Sequence, residues 1–129
     1  MYQNVQTGGF FGRDEGTSAM QAVGGASGIV MTADGYIITN WHCVVNEDTL
    51  QPYAKVEVTT YDGTEYEAQV IGADQDTDLA VIKVNATGLT AAEFGDSSSL
   101  VTGEPAYAIG NPLGIQFAET MTGGMISAP

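Results

Sequence analysis

Gly28-Ile29-Val30-Met31-Thr32-Ala33-Asp34-Gly35-Tyr36-Ile37-Ile38-Thr39, running on into Asn40-Trp41-His42-Cys43-Val44-Val45, sets the reading of the whole chain. Residues 28–32 and 36–39 are rich in β-branched and aromatic side chains and read as two β-strands. Ala33-Asp34-Gly35 between them supplies the positive-φ glycine that a short hairpin loop wants. The hairpin delivers His42, the only histidine, to the end of a sheet, where a strand fixes its position.

Downstream, Lys55-Val56-Glu57-Val58-Thr59 and Thr64-Glu65-Tyr66-Glu67-Ala68-Gln69-Val70-Ile71 alternate apolar and polar residues around an Asp62-Gly63 hairpin signal. Residues 46–52 read as a polar loop with one helical turn, and residues 72–77 as a turn. Asp78 then stands at the entrance to the strand Leu79-Ala80-Val81-Ile82-Lys83-Val84. A short strand at 105–109 stops at the turn Gly110-Asn111-Pro112-Leu113-Gly114. Residues 117–121 and 125–127 read as the two halves of a hairpin around Thr122-Gly123-Gly124. Upstream, residues 4–7 read as the tail of a strand and residues 8–16 as a mobile loop. Residues 18–23 are too short to decide as a helix, and the glycines of 24–28 permit close backbone approach. Several short strands without a long amphipathic helix predict an all-β barrel or sandwich.

The 129 residues suffice for one domain with a real core. At 43% hydrophobic with 17 glycines, the composition fits a turn-rich folded β domain. Sixteen acidic residues against three basic ones give a net charge of −13, which repels nucleic-acid backbone and anionic lipid. Cys43 is the single cysteine, so no internal disulfide can form. No apolar run reaches the roughly 18 residues of a membrane span. Met1 is followed directly by Tyr-Gln-Asn, with no signal peptide, and the last hairpin has no later strand to pair with. Both ends read as those of a piece cut from a larger protein.

His42 and Asp78 are candidates for two members of a catalytic triad, in which imidazole shuttles a serine proton and a carboxylate fixes its tautomer. Spacing alone leaves catalysis and a structural histidine equally open. Asp74, Asp76 and Asp78 do not form a calcium loop, because the sixth and twelfth positions from Asp74 are Leu79 and Asn85 rather than Gly and Glu. Gly95-Asp96-Ser97 lacks small residues after the serine and reads as a polar turn, not a nucleophile motif. Cys43, next to His42 in an extended strand, points to the opposite face and reads as core packing. Residues 110–114 lack the Gly-Lys-Ser/Thr ending of a phosphate loop.

Taken together, several stretches resemble the trypsin-like serine proteases of the HtrA (DegP/DegS) family. They are Gly25-Ala26-Ser27-Gly28-Ile29-Val30, residues 34–45 with Thr39-Asn40-Trp41-His42, Ile71-Gly72-Ala73-Asp74, Thr77-Asp78-Leu79-Ala80-Val81, Phe94-Gly95-Asp96-Ser97, Ala108-Ile109-Gly110-Asn111-Pro112 and Thr122-Gly123-Gly124-Met125-Ile126-Ser127-Ala128. The resemblance runs in family order over residues 25–127 and departs from the family at Trp41 and Cys43. It implies a chymotrypsin-like fold of two six-stranded barrels. Residues 1–24 would form a poorly patterned strand or loop, 25–110 the first barrel, and 111–129 a linker and the opening of the second. By motif match His42 is the general base and Asp78 the orienting acid, while the nucleophilic serine belongs to a later G-N-S-G-G motif beyond residue 129.

What the resemblance implies in function is an extracytoplasmic bacterial serine endopeptidase, in the periplasm or at the cell surface, that cleaves unfolded or misfolded proteins. It implies no metal or organic cofactor, no nucleic-acid partner and a trimer-type homo-oligomer, with this 129-residue piece inactive by itself. The alternative is a non-catalytic barrel that docks a partner or peptide, or a second copy, at an open sheet edge. A hydrogen bond between His42 and Asp78 separates the two, since a binding module has no need of that geometry.

Overall fold

The computed structural model describes the backbone of residues 4–13, 20–110 and 120–128, and the side chains of 24–110 and 120–128. Among these residues there are ten strands: β1 Asn4–Arg13, β2 Met20–Val30, β3 Tyr36–Thr39, β4 Val45–Asn46, β5 Gln51–Pro52, β6 Lys55–Thr59, β7 Glu65–Asp74, β8 Leu79–Val84, β9 Pro105–Gly110 and β10 Thr120–Met125. Six of them close a barrel in the order β1-β2-β3-β8-β7-β6, with β1 paired to both β2 and β6. The trypsin-like barrel predicted from the sequence is the fold observed.

The alternation that marked the strands is the alternation that fills the barrel. In β6, Val56 and Val58 point inward between Lys55, Glu57 and Thr59, and in β8 Ala80, Ile82 and Val84 do the same. Ile37 of β3 and Val30 of β2 complete the layer with Val44, and all of these except Val56 and Ala80 are wholly removed from solvent. Burying each such Val or Ile contributes about 1.5–3 kcal/mol. The predicted glycine turns are present: Gly35 has φ +104 and Gly63 φ +82.

Four readings are corrected. Residues 8–13 are not a mobile loop but belong to β1. Phe10 and Phe11 pair with the neighbouring β2 on one side and with β6, far along the chain, on the other, a gain that local pattern does not reveal. Residues 14–16 lie outside the described residues. The strand read from Gly28 begins earlier: residues 20–27 open β2, whose register against β1 shifts near Phe10. The turn read at 72–77 starts later, because β7 runs to Asp74 and pairs Gly72, Ala73 and Asp74 with Val81, Ala80 and Leu79.

The fourth correction concerns the last hairpin. Thr122-Gly123-Gly124 is not its turn but the middle of β10, which pairs residue for residue with β9 from Thr120↔Gly110 to Met125↔Pro105. Gly123 lies against the Tyr107 ring, a close approach that a side chain would crowd. Residues 111–119, including most of the predicted Gly110–Gly114 turn, lie outside the described residues.

The chain divides into two compact units, Met1–Ala92 and Glu93–Pro129, ahead of the division read from sequence at 110/111. The first unit holds the barrel, and Leu89 and Ala91 still pack on its core. The second holds the β9–β10 ladder, closed by Gly103 N–H donating to Ile126 O at 2.8 Å.

Candidate active site

β3 and β8 are antiparallel neighbours with Ile37 opposite Ile82 and Thr39 opposite Ala80. The residues after Thr39 and those before Ala80 therefore leave the barrel at the same end, side by side. That register is what brings His42 and Asp78 together. Thr39, itself buried, is anchored by its hydroxyl, which donates to Ser27 O at 2.9 Å.

His42 does not sit in an extended strand. Trp41–Cys43 is one turn of 3-10 helix, begun after Asn40 and closed by Val44 N–H donating to Trp41 O at 3.0 Å. Successive side chains of such a turn diverge by about a third of a rotation. Trp41 and Cys43 go into the core and the His42 ring is left half exposed. Cys43 is thus a packing residue, as read, but because of a turn rather than a strand. Burial first, and then the negative charge of Asp78, push its thiol pKa up, the opposite of what a thiolate nucleophile needs.

Asp78 is held from several directions. Its backbone has φ +52, in the left-handed region that aspartate tolerates better than most residues. Its carbonyl oxygen accepts from Trp41 N–H and from Asn40 Nδ2, each at 3.1 Å. Its carboxylate Oδ1 accepts from the His42 backbone N–H at 3.1 Å, and Oδ2 from Asn40 Nδ2 at 3.1 Å. Nδ1 of His42 lies 2.9 Å from both carboxylate oxygens. Asn40 escaped the sequence reading. The signal for it is its place at the end of a strand, two residues before the histidine, where a side-chain amide can bridge two chain segments.

The electrostatics follow from these donors. The His42 backbone N–H, then the His42 ring, and to a smaller degree the Asn40 amide, hold the Asp78 carboxyl below the usual aspartate range. An ionised carboxylate can only accept, so the Nδ1 that faces it carries a proton, and in the neutral ring the lone pair is then on Nε2. The arrangement is a base with a fixed tautomer, pointed at solvent. Because the folded pKa of Asp78 is depressed, its contribution is complete above the unfolded value and is lost as pH falls through the folded one. Asn40→Ala is expected to move the Asp78 titration upward, read by carboxyl carbon NMR between pH 2 and 6. An unmoved midpoint would take Asn40 out of the site.

The other candidates have hydrogen-bond partners of their own. Ser97 opens the 3-10 turn Ser97–Ser99 in the second unit. There Asp96 accepts from the Ser98 N–H at 2.9 Å and Ser98 Oγ at 2.7 Å, a self-contained polar turn. Asp74 accepts from Thr77 Oγ1, whereas Asp78 faces His42. Among the described residues no three His, Cys, Asp or Glu side chains converge to hold a metal ion.

Comparison with known proteins gives the family. Residues 26–129 match the model of the trypsin-like peptidase domain. The chain is 47% identical over 122 residues to a probable periplasmic serine endoprotease DegP-like of Chlamydia pneumoniae, covering 92% of this chain and 23% of that protein. It is 42% identical over 130 residues to the serine protease Do-like HtrB of Bacillus subtilis strain 168, covering 96% of this chain and 27% of the relative. With the serine protease Do-like HtrA of Lactococcus lactis subsp. lactis strain IL1403 the identity is 38% over 125 residues, covering 94% and 29%. The chain therefore spans between about a fifth and a third of the length of these relatives. A closed six-stranded barrel, a His–Asp pair at one end of it and a match over residues 26–129 place the chain in the trypsin-like peptidase family of serine endopeptidases, among relatives named as HtrA and DegP-like proteases.

Proposed function

We propose that this chain carries the general base and the orienting acid of a serine endopeptidase that acts outside the cytoplasm on unfolded or misfolded proteins. The observation that supports this best is Nδ1 of His42 at 2.9 Å from both oxygens of Asp78, on strands locked in register. In the acyl-transfer cycle, Nε2 of His42 takes the proton of an attacking serine and later gives it to the leaving amine. Asp78 keeps the ring oriented and stabilises the imidazolium as it forms. The same reading takes the serine and the oxyanion donors from residues outside these 129. The Chlamydia pneumoniae relative is named as periplasmic, which supports the compartment. Assembly as a trimer-type homo-oligomer belongs to the same reading.

A fluorophosphonate probe, which reacts only with an activated serine, tests the proposal. The 129-residue polypeptide is expected to remain unlabelled and to leave casein intact. The enzyme carrying the complementary half-site is expected to be labelled and to digest casein, and His42→Ala is expected to abolish both. Labelling that survives His42→Ala would contradict the role given to His42.

A further inference from the structure

The side of the barrel next to the His42 turn carries an open groove of about 330 Å³, walled by Trp41, Val45, Leu50 and Pro52 on one side and by residues 70–73 of β7 on the other. β6 pairs with β7 only as far as Ala68, whereas β8 pairs with it out to Asp74. Among the described residues, the stretch of β7 along the groove thus has a neighbouring strand on one edge only. Ile71 sits at a register shift against β8 and is 55% exposed. Leu50 is 56% exposed at φ +53, a conformation rarely taken by leucine. The turn of β4 and β5 holds it there through Leu50 N–H donating to Asn46 O at 2.8 Å, with Asn46 Oδ1 accepting from Asp48 and Thr49 N–H.

Charge selects the occupant. The apolar walls are flanked in the chain by exposed carboxylates, Glu47 and Asp48 beside Leu50, and Asp74 and Asp76 beyond Ala73. A segment rich in acidic residues is repelled by these carboxylates, and a segment carrying basic ones is attracted. We propose that the groove docks an extended segment of another polypeptide that alternates small apolar and basic side chains, added as a strand along β7. With the two-residue period of a strand, the apolar side chains enter the groove while the basic ones reach the carboxylates. This site is distinct from the His42–Asp78 pair and does not rest on the proposed activity.

Trp41, the only tryptophan, lines the groove and reports its occupation. The chain is titrated with the capped hexapeptide (Lys-Val)3 while Trp41 fluorescence is followed. A saturable change is expected, with affinity at least tenfold weaker for (Glu-Val)3 and for a (Lys-Val)3 N-methylated on the edge that would pair. Ile71→Lys is expected to weaken binding at least tenfold. Tyr61→Lys, an identical charge change on the exposed turn at the far end of β7, is expected to leave it within twofold. Asp48→Lys provides a second groove variant, and circular dichroism checks that each variant keeps the fold. Four outcomes would each overturn the proposal. They are no saturable change, equal affinity for the acidic peptide, equal loss from Ile71→Lys and Tyr61→Lys, and undiminished binding of the N-methylated peptide.

Discussion

Asp78→Asn is expected to lower kcat of the complete enzyme about 10⁴-fold, with little change in KM. An amide in place of the carboxylate offers an N–H to Nδ1 of His42, which drives the imidazole proton to Nε2, where the base should be. The backbone should not suffer. Asparagine tolerates the φ of +52 at this position, and its side-chain oxygen can still accept from the His42 N–H. Steady-state kinetics alongside circular dichroism separate the two effects. A loss smaller than tenfold in a folded variant would mean that Asp78 does not set the tautomer.

Gly35→Ala is the most damaging single methyl group the barrel can be given. A Cβ there would lie inside van der Waals contact of Val84 O and 2.9 Å from Val84 Cγ2, on a backbone at φ +104. Val84 cannot give way cheaply, because it is fully buried and its N–H donates to Gly35 O at 3.0 Å. The left-handed backbone costs about 1–2 kcal/mol and the forced displacement another 1–3, so the loss is about 2–5 kcal/mol in all. Gly63→Ala, at φ +82 with open space around it, should cost only the backbone part, about 1–2 kcal/mol. Urea unfolding of the pair measures the difference, and similar midpoints for the two would show that the contact with Val84 relaxes freely. Gly35 precedes the β3–β8 ladder, so its replacement should also loosen the register that aligns His42 with Asp78.

The parts legible in the sequence were those in which local chemistry and tertiary structure agree. Lys55–Thr59 and Leu79–Val84 alternate because each has one face in the core, and Gly35 and Gly63 stand where only a positive φ closes the turn. β1 was not legible. Its residues are glycine-rich and unpatterned, and what holds them is pairing with β2 on one side and β6 on the other. The glycines of β10 misled for the same reason, since a close approach to the Tyr107 ring looks identical in sequence to a turn. At the site, His42 and Asp78 could be named from motif and strand position. The 3-10 turn and the second role of Asn40 could not, because both depend on where the Asp78 backbone arrives from across the barrel.

In the ring β1-β2-β3-β8-β7-β6, the seam that closes the cylinder, β1 against β6, lies diametrically opposite the β3–β8 pair. Fraying or trimming of the N-terminal strand would open the cylinder at the point most remote from His42 and Asp78. Loosening of that seam would reach the β3–β8 pair only through the strands between. An insertion or cleavage at the seam is a change the molecule can absorb, and one between β3 and β8 is not.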